Sequence, residues 1–506
     1  MEDKKLKVVI AGGGTTGWVT AYALAKRLGP LLDIRLVESE KIGTVGVGEA
    51  TVPTMRSFHA LLEIDEQEFM SATQGTFKLG IQFENWANIG DSYIHSFGRV
   101  GQTTWMTEFH AFWLEAHAHG LGGELSDYCL EWKAAAMGKC ALKARDTEVN
   151  AAYHINATSY AQYLRSKAED LGVKRQEGLI TDVVLCPESG NITELKMDSG
   201  EVVEGDFFVD CTGFSSVLLG KGLGVEFEDW GHWLAADRAW ATQSKTAGAG
   251  PPFTRARAHP IGWQWQIPVQ QRTGEGIVYS SQFCSDDEAR SVLVNNLAGP
   301  QAQEPYLLKF RTGRRREAWK NNCVAIGLAS GFLEPLESTS IHLITTAVTR
   351  LMRLFPTSED MAELASRYNA ESKFEMEEVR NFLILHYNLT ERGDTDFWRF
   401  YRDMDIPEDL RHRMDVFKRN GYIWPDGVNL FRVDSWLQVM IGQGLFPKHY
   451  HLAGGILGAE RLEQQLKVMR EKVARDLETM PGHTEFVEQY CPADMYAGGK
   501  MQASAS

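Results

Sequence analysis

The chain lacks long apolar runs, paired cysteine spacings and an excess of basic residues. Across 506 residues no apolar stretch reaches the roughly 18 residues of a membrane span. Met1–Leu6 is charged, and Val8-Val9-Ile10-Ala11 is too short for the core of a secretory signal, so a cytoplasmic location is expected. Lys and Arg number 52 against 67 Asp and Glu, and the net charge of −15 speaks against a nucleic-acid partner. The seven cysteines (Cys129, Cys140, Cys186, Cys211, Cys284, Cys323 and Cys491) are odd in number and show no CxxC spacing. Neither a disulfide framework nor a metal site is expected, and the cysteines read as reduced and mostly buried. There is no internal repeat and no low-complexity linker. At 43% hydrophobic and 24% charged residues, the composition is that of a globular protein long enough to bury a large core without staples.

The N-terminus carries the strongest local pattern. Val8-Val9-Ile10 reads as a short buried strand. Gly12-Gly13-Gly14-Thr15-Thr16-Gly17 fits G-x-G-x-x-G, Trp18 to Leu28 reads as a helix, and Ile34-Arg35-Leu36-Val37 as the next strand, closed by Glu38. In such a βαβ unit Gly12 permits the tight turn, Gly14 admits a pyrophosphate and Gly17 lets helix pack on sheet. The helix start, with Thr15 and Thr16, offers free N–H groups to phosphate, and an acid at Glu38 accepts from a ribose.

Further along, residues 106–172 read as mainly helical. Strands are expected at Leu179–Leu185, Ile192–Met197, Val202-Val203 and Phe207–Val209, and residues 255–283 alternate as a sheet does. Cys323–Ile326 is another short strand. From about Ile341 to about residue 480 the pattern is almost wholly helical. The fold class expected is α/β: a doubly wound, Rossmann-like nucleotide-binding domain with a sheet insertion and a mostly helical C-terminal part. The expected boundaries are 1–345 for the nucleotide-binding and catalytic domain, with insertions at about 70–160 and 220–320. Residues 346–496 form a helical substrate-covering region, and 497–506 a disordered tail.

No second G-x-G-x-x-G supplies a separate nicotinamide domain. Two later segments echo the first instead: Phe207-Phe208-Val209-Asp210-Cys211-Thr212-Gly213, and Val324-Ala325-Ile326-Gly327-Leu328-Ala329. This three-part layout resembles the FAD-binding monooxygenase superfamily, although Leu328 stands where that superfamily usually has Asp.

Trp263-Gln264-Trp265-Gln266-Ile267-Pro268 narrows the resemblance. Alternation puts both tryptophans on one face of a strand that Pro268 ends, which by itself describes two core residues of a sheet. The spelling W-x-W-x-I-P, however, is the signature of flavin-dependent halogenases. The chain resembles the tryptophan-halogenase branch over nearly its full length, in Gly12–Trp18, Ile42–Pro53, Phe77-Lys78 and Glu334-Pro335-Leu336-Glu337-Ser338-Thr339.

The resemblance assigns roles that the residues alone do not. Lys78, unaided, is a solvated lysine; by resemblance it directs electrophilic halogen to a fixed point. Glu337, unaided, is a capping acid before the helix at Ile341; by resemblance it stabilises the cationic ring and takes up its proton. The N–H groups of Thr339 and Ser340 are matched to the halide site, Ser340 replacing the family's usual Gly. Glu334 is taken as structural. Trp263 and Trp265 wall the flavin from bulky substrate and leave a narrow path. His95 and Phe97 are matched to the substrate pocket, although an ordinary packed pair explains them equally well. Gly43 to Pro53 resembles the strap between flavin and halogenation site. Ala50, Leu328 and Ile341 are expected against FAD, with Gly12, Gly14, Thr15, Thr16, Gly17 and Glu38.

The implied reaction uses reduced FAD from a separate flavin reductase, oxygen and a halide ion. These make hypohalous acid, which halogenates an electron-rich aromatic such as indole or tryptophan. An aromatic monooxygenase that inserts oxygen without using halide is the alternative, as is a flavoprotein without turnover. The region Trp424–Pro447 shows no tyrosine-rich pattern of the kind that covers free tryptophan.

Overall fold

The computed structural model describes residues 5–42, 48–356, 360–424 and 430–493, and the backbone at 496–497 and 500–501. The expected strands at Ile180–Leu185, Ile192–Met197 and Val202–Glu204 form an antiparallel sheet of their own. Four other expected strands, joined by Lys174–Glu177 and Trp319–Lys320, which the sequence pattern does not show, form the nucleotide-binding sheet. Its order is Lys174–Glu177, Leu32–Glu38, Leu6–Ala11, Phe207–Asp210, Cys323–Ala325 and Trp319–Lys320. All neighbours pair in parallel except the last, a hairpin partner. Val8 to Ala11 and Phe207 to Asp210 are buried on both faces, the usual state of central parallel strands. The helix Thr15–Leu28 covers one face, packed on Ala157–Asp170 and Ser340–Arg353.

A second sheet of seven strands carries Trp263, Trp265 and His95. Its order is Tyr306–Lys309, Arg238–Lys245, Arg272–Tyr279, Gly262–Val269, Thr254–His259, Gly80–Glu84 and Ser92–Ser96. Strand Gly262–Val269 runs one residue past Pro268. Trp263, Trp265 and Ile267 face a large aromatic core, while Gln264 and Gln266 turn the other way onto buried Glu275.

Residues 106–172 depart from the helical expectation. Helices Phe109–Ala118 and Leu130–Ala136 are present, but Ala152–Asn156 is a strand. It lies between Gly48–Ala50 and Thr76–Lys78, antiparallel to both. Five residues are too few to show a period, and the helix that follows immediately from Ala157 masks them. This small sheet joins the strap segment to the lysine strand. Gly48 crosses strand Arg272–Tyr279 at Gly274, where a Cβ on Gly274 would come within 2.8 Å of Gly48 N, so a glycine is needed at 274.

The C-terminal part is helical as expected, with the 27-residue helix Ala362–Asn388 and helix Val433–Gly442 packed on the aromatic core. All seven cysteines are free, and all but Cys186 are buried. Among the described residues no helix is long and apolar enough to cross a membrane. Residues 43–47 of the strap, 425–429 of the region read for a lid, and most of the tail lie outside the described residues. In the tail, Ala497 pairs with Lys500 in a two-stranded ladder.

Candidate active site

The glycine motif and its two echoes meet at the carboxyl ends of the parallel strands, where doubly wound sheets bind their ligands. The glycines there differ in what they tolerate. Gly12 has φ +107°, and a Cβ on it would lie 2.3 Å from Cys211 O. On Gly17 a Cβ would lie 1.9 Å from Gly12 O. On Gly14, the N-cap of helix Thr15–Leu28, it would meet nothing within 4 Å. Two glycines thus serve the fold and one opens onto space beside a helix N-terminus, a cradle suited to a pyrophosphate. Thr15 and Thr16 form the first turn, and Gly327 packs against Thr16, bringing the Gly327–Ala329 turn and Leu328 to the same edge. Ile341 is buried in the adjoining core. Glu38 ends its strand as expected. One carboxylate oxygen is bound by Arg175 and lies 3.5 Å from Arg165, and the other lies against Gly13. These residues fit FAD.

Lys78 is not the solvated lysine of the unaided reading. It is fully buried at the end of Thr76–Lys78. Nζ donates to Ser338 Oγ at 2.7 Å and to Thr51 O at 3.2 Å, with the Phe97 ring centroid 5.2 Å away. Burial pulls its pKa down to about 7, with Glu337 acting against the fall. Nor is Glu337 a surface cap. It is 1% exposed, at the end of the short 3-10 turn Pro335–Glu337. His95 Nδ1 lies 3.0 and 2.9 Å from its two oxygens. His386 Nε2 lies 2.8 Å from Oε1, off the line of a well-formed hydrogen bond. Burial alone would raise this carboxyl; His95 and His386 outweigh it and hold the pKa at about 2. A carboxylate so held is placed to stabilise positive charge beside it.

His95, Glu337 and His386 bring their ligand-type atoms within 4.8 Å of one another, a spacing at which a divalent ion can be held. The imidazole–carboxylate contacts already account for the arrangement, and we read it as a hydrogen-bonded triad. The sequence reading missed His386. It sits four residues after Phe382 on helix Ala362–Asn388 and turns the same way. Its only signal is one histidine in the apolar run Phe382-Leu383-Ile384-Leu385-His386-Tyr387. Ser338 was missed too, though it lies inside the Glu334–Thr339 motif.

Thr339 and Ser340 open helix Ser340–Arg353, as the halide expectation requires. Thr339 is buried, and its Oγ1 has no protein partner. The rings of Trp263 and Trp265 stand 6.2 Å apart; the Trp265 indole N–H finds no protein acceptor, and that of Trp263 is directed at the buried Glu334–Tyr387 pair without a well-formed hydrogen bond. Glu334 is fully buried, accepts from Tyr387 Oη at 2.5 Å, and is pushed up to about 7 by burial. Ala50, on strand Gly48–Ala50, packs in the same core as both tryptophans.

A family model described as tryptophan halogenase matches residues 7–457. The chain belongs to the tryptophan-halogenase family. This halogenase is 34% identical to tryptophan 6-halogenase SttH of Streptomyces toxytricini, over 95% of this chain and 97% of the relative. It is 32% identical to tryptophan 7-halogenase RebH of Lentzea aerocolonigenes, over 97% and 99%. Among solved structures it resembles Xcc4156, a flavin-dependent halogenase from Xanthomonas campestris, with TM-score 0.95 and 49% identity over 97% of this chain and 99% of that one. BrvH, a flavin-dependent halogenase from Brevundimonas sp. BAL3, follows with 0.92 and 42% over 97% and 100%. The halogenase is thus an FAD-dependent enzyme that uses halide, an aromatic substrate and reduced FAD from a separate reductase. The halide-free monooxygenase and the flavoprotein without turnover find no support in these relatives.

Proposed function

We propose that the halogenase delivers hypohalous acid through Lys78 onto an electron-rich aromatic ring of the indole class. When bound, reduced FAD supplies, with oxygen and halide, the hypohalous acid; the steps that follow belong to the chain's own residues. Gly14, Thr15, Thr16, Gly17 and Glu38 hold the dinucleotide, with Ala50, Leu328 and Ile341 beside it. The N–H groups of Thr339 and Ser340 hold the halide. Trp263 and Trp265 leave room for a small acid and none for an aromatic substrate. Lys78 polarises the acid by hydrogen bonding, and Glu337 stabilises the positive charge that the ring gains on attack. His95 and Phe97 border the substrate, and the helical region 346–496 covers it.

The observation that carries this reading is the burial of Lys78 beside Ser338, one residue past Glu337. A solvent-shielded ammonium with a pKa near 7 both donates a hydrogen bond to oxygen and escapes a permanent salt bridge. The test supplies a flavin reductase, FAD, indole and either chloride or bromide, with products followed by mass spectrometry. Monohalogenated product that requires the halide is expected. Hydroxylated product formed equally well without halide would overturn the reading.

A further inference from the structure

Lys78 sits on a strand with one open side. Thr76–Lys78 is the outer strand of its small sheet and pairs only with Ala152–Asn156 there. An outer strand leaves backbone N–H groups without a ladder partner, and a buried one must find an acceptor elsewhere. Phe77 is fully buried, and its N–H donates to His483 Nε2 at 3.1 Å. His483, also buried, is the first residue of the C-terminal helix His483–Tyr490. Its Nδ1 lies 2.8 Å from Gly250 O. These two partners fix the tautomer. A backbone N–H only donates, so Nε2 carries a lone pair; a carbonyl only accepts, so Nδ1 carries the proton. The ring is therefore neutral, in keeping with burial, which pulls its pKa down to about 4 against the bond to Gly250.

The imidazole takes the place of a missing rung. Leu79, two residues after Phe77 and so turned to the same side, donates directly to Pro252 O at 2.8 Å. Phe77 is joined to Gly250, two residues before Pro252, through His483. The helix also meets the strand by its aromatic rings: Phe486 and Tyr490 lie 5.3 and 5.7 Å from Phe77. Thr76 is fixed separately, its Oγ1 donating to Pro268 O at 2.6 Å. Lys78 Nζ reaches Ser338 Oγ and Thr51 O at 2.7 and 3.2 Å. A shift of the strand by about 1 Å away from them would stretch both contacts past hydrogen-bonding length.

We infer that His483 is a positioning residue for Lys78, holding the lysine strand by its backbone so that the ammonium meets hypohalous acid and aromatic ring at one place. The inference rests on the Lys78-directed halogenation proposed above. His483 touches neither flavin nor substrate in this role. Its loss should leave formation of hypohalous acid intact and impair transfer of halogen to the ring, so that more of the acid escapes.

The experiment uses the full chain with FAD, a flavin reductase, oxygen and bromide. Parallel reactions with indole and with a free β-diketone give the ratio of bromoindole formed to hypobromous acid trapped. His483→Gln carries an amide oxygen to the place of Nε2. His483→Asn is one bond shorter and reaches Gly250 O but not the Phe77 N–H. Phe486→Leu loosens the helix and leaves both bonds of His483. The ratio should fall about 10-fold or more in His483→Asn, because a small misplacement is costly at the point of transfer. His483→Gln should keep most of it, and Phe486→Leu should keep the wild-type ratio while melting at lower temperature. A ratio unchanged in His483→Asn, or lost alike in His483→Gln or in Phe486→Leu, would overturn the inference. A second measurement needs no folded His483→Asn. In the wild type grown with isotope-labelled histidine, the nitrogen NMR signals that vanish in His483→Gln should be those of a neutral ring protonated on Nδ1. A ring protonated on Nε2 overturns the role of His483 even if Lys78 directs the halogen. Bromination by Lys78→Ala at the wild-type rate overturns the Lys78 reading without altering that tautomer, so the two failures are distinct.

Discussion

Lys78 Nζ is anchored 2.7 Å from Ser338 Oγ, on the residue that follows the doubly held Glu337. Ser338 has a left-handed backbone, φ +58°, unusual outside glycine. That turn aims the serine at the lysine while the preceding carboxylate faces the two histidines. Lys78 and Glu337 therefore meet different partners across one bend, and their pKa values are driven by opposing causes: burial for the lysine, neighbouring imidazoles for the glutamate.

Lys78→Ala should lower aromatic halogenation at least ~10²-fold while FAD still binds, because the ammonium acts where halogen meets the ring. Flavin titration and product mass spectrometry check the two halves. Halogenation near the wild-type rate would remove Lys78 from the mechanism.

Lys78→Met should stabilise the protein, most of all at low pH. The folded lysine titrates at about 7 and an ordinary lysine at 10.5. Between those values the unfolded chain binds a proton that the folded chain lacks, so stability rises with pH across the window. The cost of burying the charge is complete below about pH 7 and gone above about 10.5. Thermal melts of the two proteins should differ by ~1–3 °C at pH 6, and by less as pH approaches 10. An equal difference at both pH values would mean that Lys78 is not charged at the cost supposed.

The reach of sequence reading follows sequence distance. The strand, glycine turn, helix and Glu38 of the N-terminal unit are consecutive, so their pattern was visible and their geometry agrees. Lys78 alone reads as a surface residue because its burial depends on strand Ala152–Asn156, which is too short to show itself. Glu337 reads as a helix cap because His95 lies 242 residues away and His386 on another helix. The halogenase spelling identified Lys78 and Glu337 by resemblance. It did not disclose that the glutamate is held by two imidazoles, or that Ser338 receives the lysine.

Gly14→Val and Gly17→Val should fail in different ways. A side chain on Gly14 enters open space, so the apo protein should fold normally and lose FAD. On Gly17 a Cβ meets Gly12 O at 1.9 Å, and the variant should be destabilised or insoluble. Circular dichroism with flavin absorbance separates the two. Undiminished FAD binding by a folded Gly14→Val would remove the pyrophosphate from this turn.

Gly276→Ala probes the tryptophan wall. The Trp265 ring lies on Gly276, where a Cβ would come within 2.1 Å of the indole. The ring or the strand must shift, and the overpacking should cost ~1–3 kcal/mol in denaturant unfolding. A Cβ would also come within 2.5 Å of Trp240 O, so unchanged stability would show that both the Trp265 ring and strand Arg238–Lys245 give way, and that the wall is a poor barrier.

Free indole should be halogenated at least as well as tryptophan. Helix Val433–Gly442 contributes Trp436 to an aromatic box with Phe382 and Phe431. There Asp434 accepts from Val100 N, Gln438 is paired with Ser96, and the Gln443 amide nitrogen is shared between Tyr93 Oη and His386 O, which leaves Gln443 Oε1 as a buried acceptor without a partner and no free cation to meet a carboxylate among these side chains. Arg413 lies against the Trp424 and Trp436 rings. A zwitterion entering this box loses water from an ammonium and a carboxylate, and each polar group left unpaired costs a few kcal/mol, roughly 2 or more. The neutral ring loses little hydration. On free indole, attack should favour C3, the most electron-rich carbon, unless the box turns another edge toward Lys78. Equimolar indole and tryptophan compete in one reaction with flavin reductase, oxygen and bromide, and the two brominated products are compared. A clear preference for tryptophan would mean that the chain does supply partners for its charged end, and that the pocket is not the apolar one supposed.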